Sequence, residues 1–365
     1  MKKKTIVFLD GNVFLNMLWI VLAVIFLGSC SKKESARTET EAKTLKPFDV
    51  PFQPTGYTNI LLVIAKEAGY YAEDGLDVRF NPLQGSSPEL IAAVTTGKIK
   101  AATYGGTTAS LTLIEAGNDL VIIGGIMSEG AALVTKPENL SQWKDFSNAT
   151  LSGKKIAVTR AQSGDITFRR YLKNNGVDIS KIEVVELDSP PTIIEAVKKG
   201  EVDAGIVYVL FRKVAENQGL SIITHIDELA PGYTCCRVVT TKKELEANRA
   251  DFVNFLKGNI KAYRIFKTDP EKTLEYALKH YDVEQSVLQN EFYDYGHLGL
   301  SPDPAKKKIL DFYEGMTLIG YAKGSVNVAD YVDSTLYGEA LAQVLKESPN
   351  DPVFLELKKE FDAFN

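Results

Sequence analysis

The chain has 365 residues, of which 45% are hydrophobic and 24% are charged, a composition typical of a folded globular protein. At roughly 100–200 residues per domain, this length predicts two domains. A formal net charge of −5 argues against a nucleic-acid-binding protein, and three His and three Cys leave little material for a metal site or a His-based catalytic centre.

The N-terminal segment has the pattern of a targeting signal. Lys2, Lys3 and Lys4 are followed by an almost wholly apolar run, Val13–Leu27, and then by Gly28-Ser29-Cys30. Residues 27–30 resemble a bacterial lipobox, in which Cys30 is lipidated and begins the mature chain. Plain secretion and an uncleaved anchor are the alternatives, although a membrane span usually needs about 18 apolar residues. We therefore predict a lipoprotein signal peptide over residues 1–29.

The next segment, residues 30–47, is rich in Ser, Thr, Glu and Lys and nearly free of apolar side chains. Such a stretch cannot bury enough surface to offset the entropy of an ordered chain. It is predicted to be a flexible tether between a lipid on Cys30 and the folded part.

From Phe48 onward, short apolar runs alternate with helical patterns, which is typical of an α/β fold with mostly parallel sheets. The first series is predicted to contain five strands, at Asp49–Phe52, Leu76–Phe80, Ala101–Tyr104, Leu120–Ile126 and Ala131–Thr135. Its helices begin near Ile60, near Ser87 and at Thr107.

A polar connection over Lys136–Thr150 precedes a second α/β series. Its predicted strands are Lys155–Thr159, Glu183–Leu187, Ala204–Tyr208, Leu220–Thr224 and Arg237–Thr241. Its predicted helices are Gly164–Asn174 and Pro191–Lys199. Beyond them the chain is predicted to be nearly all helical, over Lys242–Lys267, Pro270–His280, Gln285–Tyr295, Pro304–Tyr321 and Pro352–Phe361.

Three segments together resemble the substrate-binding proteins of ABC importers in the nitrate, sulfonate, taurine and thiamine-precursor group. They are Ala68–Val78 with its Gly-Leu-Asp-Val turn, Leu151–Val158 with the pattern L-x-G-K-x-I-x-V, and Ile194–Ala204 with the pattern A-V-x-x-G-x-V-D-A. An echo of the last pattern occurs in Ile91–Ile99. Each motif alone is weak, and their order and spacing carry the resemblance.

The resemblance implies the type II periplasmic-binding-protein fold, with two α/β lobes, a ligand cleft between them and a helical C-terminal tail. It implies lobe 1 over residues 48–137, lobe 2 over residues 138–240 and a return of residues 241–365 to lobe 1.

Four loops carry small polar residues where strands end and helices begin. In open α/β sheets, ligands bind beyond the carboxyl ends of strands, and helix N-termini offer free N–H groups. The predicted ligand-binding residues in these loops are Thr55, Gly56, Tyr57, Ser86, Ser87, Tyr104, Gly105, Gly106, Thr107, Thr108, Gln162, Ser163, Gly164 and Asp165. The same residue types also favour helix starts for structural reasons alone.

Tyr208 is added as an aromatic candidate, since it ends a strand and its ring can stack on a flat ligand. Glu129 is added because it ends the Leu120–Ile126 strand near the expected hinge. Few cations occur in these loops, with Arg160 the exception, and Asp165 and Asp188 supply negative charge. This balance favours an amine-bearing or heteroaromatic ligand over a small inorganic anion.

No sequence motif indicates an enzyme. There is no G-x-S-x-G, phosphate-binding loop, H-E-x-x-H or C-x-x-C. His225, His280 and His297 fall in different segments without acidic partners at ligand spacing, so no metal site and no cofactor are predicted. Cys235 and Cys236 are expected to be two buried thiols near the hinge, with a vicinal disulfide as the alternative.

The resemblance implies a receptor of an ABC importer that captures a small organic molecule by closure of two lobes. The ligand is expected to be sulfonate- or taurine-like or a heteroaromatic vitamin precursor. Expected partners are the permease and ATPase subunits and, through the lipid, the outer face of the cell membrane, with the protein itself a monomer. The alternatives are an enzyme of the pyrimidine-precursor synthase type and a surface lipoprotein that uses the fold for sensing.

Overall fold

The computed structural model describes residues 44–54, 57–83 and 87–365, without the side chains of residues 87 and 88. The predicted signal peptide, Cys30 and most of the predicted tether lie outside the described residues. So do three predicted ligand-binding residues, Thr55, Gly56 and Ser86.

In the described part of the chain, ten strands form three sheets. In chain order they are β1 (Lys46–Pro51), β2 (Leu76–Asn81), β3 (Leu120–Glu129), β4 (Ala131–Thr135), β5 (Lys155–Thr159), β6 (Glu183–Leu187), β7 (Ala204–Tyr208), β8 (Ser221–His225), β9 (Thr234–Thr241) and β10 (Leu298–Leu300). The strand orders are β1-β2, β10-β3-β9 and β6-β5-β7-β4-β8.

The α-helices alternate with the strands at first and then dominate the chain. They are α1 (Ile60–Glu67), α2 (Tyr70–Glu73), α3 (Ser87–Thr95), α4 (Thr107–Glu115), α5 (Asn148–Leu151), α6 (Ser163–Asn174), α7 (Pro190–Lys199), α8 (Leu210–Asn217), α9 (Ile226–Leu229), α10 (Lys242–Thr268), α11 (Pro270–Ala277), α12 (Gln285–Gln289), α13 (Lys306–Leu318), α14 (Thr335–Glu347) and α15 (Pro352–Phe364). The long α10 is kinked at Asn248, which has non-helical backbone angles.

The five-stranded sheet is built entirely by a continuous piece of chain. Strands β4 to β8 lie between residues 131 and 225, and β4 runs antiparallel to both β7 and β8. We call residues 131–229 lobe 2 and the remaining described residues lobe 1. Both boundaries of lobe 2, where the chain crosses between the lobes, thus lie earlier in the sequence than the expected limits at residues 137 and 240. The reason is that β4 pairs with strands of lobe 2 and β9 pairs with β3 of lobe 1.

The crossing from lobe 1 to lobe 2 and the crossing back lie side by side. Ser128 near the end of β3 pairs with Thr234 at the start of β9. The chain therefore leaves lobe 1 and returns to it at the same end of the three-stranded sheet. Left-handed backbone occurs at Glu129 (φ 66), Gly130 (φ 88) and Gly232 (φ 70). Glycine adopts such angles without the steric cost that a side chain adds.

The C-terminal helices pack mainly on lobe 1. The ring of Phe255 on α10 stacks on Phe48 of β1 at 4.7 Å and on Tyr71 of α2 at 5.3 Å. The approach is close, because a Cβ placed on Gly258 would lie 2.6 Å from two carbons of the Tyr71 ring. Burial of these apolar surfaces fixes the tail to the first half of the chain.

Two ion pairs join the lobes outside the sheets. Arg170 on α6 makes a bidentate contact with Asp311 on α13, with both N–O distances 2.6 Å. Arg212 on α8 is fully buried and pairs with buried Glu291, from the π-helical turn Asn290–Asp294 that follows α12. Helix α13 of the tail therefore contacts lobe 2 as well as lobe 1.

Three expectations about local structure were wrong. The sheets are mixed rather than mostly parallel, because β3, β4, β9 and β10 all pair antiparallel with their neighbours. Residues 101–104 form no strand, and only Ala102 makes an isolated bridge, to Val239. The predicted helix Gln285–Tyr295 divides into α12 and the π-helical turn.

Among the described residues, none of the helices combines the length and the apolar character needed to cross a membrane.

Candidate functional site

A cavity of about 380 Å³ lies between the two lobes. Lobe 1 lines it with Gln53, Tyr57, Thr58, Leu90, Tyr104, Gly105, Gly106, Met127, Cys235 and Cys236. Lobe 2 lines it with Thr159, Arg160, Gln162, Asp188, Ser189, Pro190, Tyr208, Val209, Leu210 and Phe211. A volume of this size is suited to a small organic molecule.

Four helices begin at this cavity. The residues that cap the N-termini of α4, α6, α7 and α8 are Gly106, Gln162, Ser189 and Val209, and all four line it. The first turn of a helix carries the positive end of the helix dipole and free N–H groups, although α7 starts with Pro190 and Pro191, which have no N–H to donate. The cavity therefore favours a ligand that presents negative charge or hydrogen-bond acceptors.

Three tyrosines contribute aromatic surface to the walls. The Tyr57 ring packs edge-on against Tyr281 at 5.2 Å, and the Tyr104 hydroxyl donates to the carbonyl of Leu83. Burial raises the pKa of Tyr57 and of Tyr104 to about 12, so both phenols are neutral donors at physiological pH. The hydroxyl of Tyr208 faces the backbone N–H groups of Gly164 and Asp165 at the start of α6.

Three buried hydroxyl groups in the cavity wall lack a hydrogen-bond partner among the described residues. They are Oη of Tyr57 from lobe 1, and Oγ1 of Thr159 and Oη of Tyr208 from lobe 2. A buried polar group without a partner costs stability. A ligand between the lobes can satisfy these groups.

The thiols of Cys235 and Cys236 lie together at the cavity, with sulfur atoms 3.4 Å apart, and both are free and buried as expected. The two thiols share a hydrogen bond, and this contact, together with the backbone N–H groups of Gly106 and Gly105, lowers the pKa of Cys236. The same contact and burial raise the pKa of Cys235 well above its ordinary value. Cys236 is thus the thiol that ionises more easily.

Charged groups lie at the cavity wall rather than deep within it. The side chain of Arg160 is 80% exposed and lies 3.8 Å from Glu186. Asp188 is the carboxylate that lines the cavity, one residue before Ser189. The wall thus holds one cation that can reach a ligand from the solvent side.

Six predicted site residues line the cavity: Tyr57, Tyr104, Gly105, Gly106, Gln162 and Tyr208. Ser87 begins α3, but its side chain lies outside the described part of the chain.

Three more predicted residues lie behind the cavity wall. Thr107 donates to the carbonyl of Cys235 over 2.7 Å, and Thr108 on α4 lies 3.4 Å from the hydroxyl of Ser163 on α6. The Thr108–Ser163 contact joins the two lobes. These hydroxyls therefore hold the helix starts in place.

Gly164, Asp165 and Glu129 also have structural partners. A Cβ on Gly164 would lie 2.7 Å from that of Ala131, and the Asp165 carboxylate binds Arg169 one turn along α6. Oε1 of Glu129 accepts from the backbone N–H of Gly232 at 2.7 Å, which joins the two crossings. None of these three lines the cavity among the described residues.

Sequence reasoning did not select several wall residues, including Gln53, Thr159, Ser189, Phe211 and Cys236. Ser189-Pro190 carried a usable signal, because Ser before Pro opens a helix just as in Ser87-Pro88. The others lack such a signal, since their exposure to the cavity depends on how the lobes face each other.

The sequence shows no acidic partners at ligand spacing from the three histidines, but the fold gives acidic partners to two of them. Nε2 of His280 lies 2.7 Å from Glu67, and Nδ1 of His297 lies 2.7 Å from Asp227. The His225 and His297 rings, which the sequence separates by 72 positions, stack with centroids 3.6 Å apart. Folding brings them together because the segment before β10 packs against the end of β8.

Residues 58–273 of the chain match the family model described as "NMT1/THI5 like". A Brucella abortus (strain 2308) protein described as a "Putative binding protein" is 28% identical over 148 residues, which are 40% of this chain and 46% of that relative. The match thus spans about half the length of the curated relative.

Two solved structures show the fold. The periplasmic nitrate-binding protein NrtA from Synechocystis PCC 6803 superposes with a TM-score of 0.67 at 15% identity, covering 88% of this chain and 99% of that one. The periplasmic aliphatic sulphonate binding protein SsuA from Escherichia coli gives 0.62 at 18% identity, covering 79% of this chain and 92% of that one. The chain has the two-lobe type II periplasmic-binding-protein fold, as predicted.

Proposed function

The chain belongs to the NMT1/THI5-like family, and from that premise we propose that it is the extracytoplasmic solute-binding receptor of an ABC importer. The observation that carries the proposal is the cavity between the lobes, at which four helices begin and in which three buried hydroxyls lack partners among the described residues. Two solved structures that superpose on this chain are those of a nitrate-binding protein and a sulphonate-binding protein.

The cavity favours a small organic anion, of which an alkyl or aryl sulfonate is the best example. The helix N-termini suit a negatively charged group, and Leu90, Met127 and Phe211 suit an apolar body. Nitrate alone leaves most of the 380 Å³ without protein contact. This argument revises the sequence-based preference for an amine, because the helix N-termini outweigh the carboxylate of Asp188.

A heteroaromatic vitamin precursor is the second ligand class. Its support is the three tyrosine rings and Asp188, which can stack on a flat ring and accept from an amino group. A sulfonate does not need the carboxylate, so substitution of Asp188 distinguishes the two ligand classes.

Capture works by closure of the lobes. A ligand that contacts Tyr57 from lobe 1 and Thr159 from lobe 2 stabilises the closed state over the open one, because both contacts exist only when the lobes meet. The permease then recognises the closed shape. The ligand is released unchanged, so the receptor carries out no reaction.

The test is calorimetry and thermal-shift measurement on the full chain with alkanesulfonates, taurine, nitrate, pyrimidines and thiamine precursors. We expect an organic sulfonate to bind with one site per chain and to raise the melting temperature. Binding of nitrate alone contradicts the organic-anion proposal. Failure of every compound, or recovery of a chemically altered ligand, contradicts the receptor proposal and favours the synthase-type or sensory alternative.

Two matched variants test the cavity. Tyr57→Phe should weaken binding about two- to tenfold, the range for one hydrogen bond. Tyr337→Phe is the control, because its hydroxyl is also buried without a partner among the described residues but does not line the cavity. Equal effects of the two variants would place the ligand elsewhere.

The location and the partners complete the proposal. We propose that Cys30 carries a lipid that holds a monomeric receptor at the outer face of the membrane, beside its permease and ATPase. Mass spectrometry of the mature N-terminus tests the lipid, and Cys30→Ser should release the protein from the membrane fraction. Copurification with the permease tests delivery.

A further inference from the structure

Two histidines and an aspartate from different lobes meet outside the wall of the cavity. His225 ends β8 and Asp227 lies in α9, both in lobe 2, whereas His297 precedes β10 in lobe 1. One ligand atom from each of the three side chains lies within 4.8 Å of the other two. None of the three lines the cavity.

Two polar atoms of this cluster are buried without a hydrogen-bond partner among the described residues. They are Nδ1 of His225, whose side chain also faces the backbone N–H of Glu228 at the N-terminus of α9 without a hydrogen bond of normal geometry, and Oδ1 of Asp227. The other oxygen of Asp227 contacts Nδ1 of His297 at 2.7 Å. A buried lone pair and a buried carboxylate oxygen that both lack a partner leave a hydrogen-bonding deficit that a cation can satisfy.

We propose that His225, Asp227 and His297 form a binding site for a divalent transition-metal ion of the zinc type, which links lobe 1 to lobe 2 at the hinge. The proposal does not depend on the identity of the transported ligand or on transport itself.

The donor set selects the class of ion. Two imidazoles and one carboxylate suit Zn²⁺ and its neighbours, whereas Mg²⁺ and Ca²⁺ prefer sites made of oxygen atoms. Two atoms bound to one zinc ion at about 2.1 Å can be no more than about 4.2 Å apart. The widest pair therefore needs to approach by a few tenths of an ångström. The rings of His225 and His297 also stack almost in parallel, with centroids 3.6 Å apart, so one ring must rotate out of the stack before both nitrogen lone pairs can point at one ion.

Charges of both signs surround the cluster. Oε1 of Glu228 lies 4.0 Å from Nε2 of His297 and adds a second carboxylate. Arg212, which donates to the backbone carbonyl of His297, is the opposing cation. Its buried pair with Glu291 balances part of its charge, and the carboxylates of Asp227 and Glu228 offset the rest.

The backbone before β10 places His297 at the cluster. Gly296 and His297 are both left-handed, at φ 71 and φ 57, and β10 then pairs with the end of β3 at Glu129. A non-glycine residue with positive φ costs energy. The strained turn directs the imidazole of His297 toward lobe 2. The binding energy of an ion at the cluster would offset the energy of this strained backbone.

The test is titration of the metal-free full chain with Zn²⁺ by calorimetry. We expect one ion per chain, with binding weakened at least tenfold in His225→Asn and in His297→Asn. His280→Asn is the matched control and should bind Zn²⁺ like the unmodified chain, because His280 pairs with Glu67 far from the cluster. Mg²⁺ and Ca²⁺ should not compete.

Three results would overturn the proposal. They are the absence of saturable binding, loss of binding in Cys236→Ser instead, and loss in His225→Asn with full binding in His297→Asn. The last result would place the ion in lobe 2 alone.

A second measurement does not depend on the variants folding. Diethyl pyrocarbonate should modify His225 and His297 in the metal-free chain, and Zn²⁺ should protect both while His280 keeps its rate. Equal protection of all three, or of none, contradicts the site.

Discussion

The two adjacent thiols should differ in reactivity, although both are buried. The Cys235 thiol and the backbone N–H groups of Gly105 and Gly106 all favour the thiolate of Cys236, whereas burial and the same thiol contact disfavour ionisation of Cys235. Because the thiolate is the reacting form, Cys236 should be alkylated faster than Cys235. Timed iodoacetamide labelling with peptide mapping measures both rates.

The contact between the thiols can be tested by substitution at Cys235. Cys235→Ser keeps a donor and should leave Cys236 reactive, whereas Cys235→Ala removes it and should slow the labelling of Cys236. Equal rates for the two thiols, or no difference between the Ser and Ala variants, would contradict the asymmetry.

Glu115 should stabilise the protein only above acidic pH. Burial alone raises its pKa, but hydrogen bonds from the N–H of Lys323, the hydroxyl of Tyr313 and Ser325 together lower it to about 2, from 4.5. Its folded-state pKa is depressed, so its contribution is complete above pH 4.5 and is lost as the pH falls toward 2.

Glu115→Gln should therefore lower the free energy of unfolding at pH 7 by about 1 kcal/mol, discounted for partial exposure. The difference from the unmodified chain should vanish near pH 2. Urea unfolding at pH 7, 4 and 2.5 measures this, with Glu246→Gln on the exposed face of α10 as control. A loss that is the same at all three pH values would show that the carboxylate charge is not involved.

At the scale of elements, the close contact between α10 and α2 should make a Gly-to-Ala substitution in α10 destabilising, although such a substitution in a helix usually stabilises the protein. Ala in place of a helical Gly normally stabilises by about 1 kcal/mol. At Gly258, however, the added Cβ meets the Tyr71 ring at 2.6 Å. Overpacking of this kind costs about 1–3 kcal/mol, so Gly258→Ala should be destabilising on balance.

A double variant isolates the clash. In a Tyr71→Leu background, Gly258→Ala should cause no further loss, because the flexible Leu side chain can move aside. Chemical unfolding of the four proteins measures the coupling. Additive losses would mean that Gly258 is needed for another reason.

Elements with local signals were predictable from the sequence. The bounds of α4, β4, β5 and β7 agree with expectation, because capping residues, glycines and β-branched runs mark their ends. Strand direction was not predictable, since β4 and β9 pair with strands far away in the sequence. Helix α8 was missed because its start at Val209 carries no capping side chain.

At the scale of the whole molecule, the pair between α6 and α13 should influence the balance between open and closed lobes. Asp311 is 61% exposed, so its bond to Arg170 is worth little for overall stability, but it exists only while the lobes meet. Asp311→Asn should increase the open-to-closed ratio about two- to fivefold, the range for an exposed ion pair.

Small-angle scattering of the ligand-free chain should show a larger radius of gyration for Asp311→Asn. Asp362→Asn is the control, because Asp362 pairs with Lys358 inside α15 and its loss changes the net charge equally. A similar expansion in both variants would indicate a general effect of charge.

The candidate site was only partly predictable, for a reason that belongs to this scale. Each lobe supplies half of the cavity, and the sequence marks helix starts but not which of them face across the gap. Gln162 and Ser163 are neighbours with the same sequence signal, yet only Gln162 lines the cavity. The meeting of His225 and His297 was hidden for the same reason.

The position of lobe 2 between β3 and β9 sets an order of events during synthesis. Residues 131–229 are continuous and hold all five strands of their sheet, so this part can fold as soon as it leaves the ribosome. Strand β3 must wait for β9, its partner roughly a hundred residues later, a delay on the order of 10 s at ordinary translation rates. During that delay the strongly apolar strand Leu120–Glu129 has an unpaired edge. We therefore expect a chaperone that binds the newly made chain to bind at this strand.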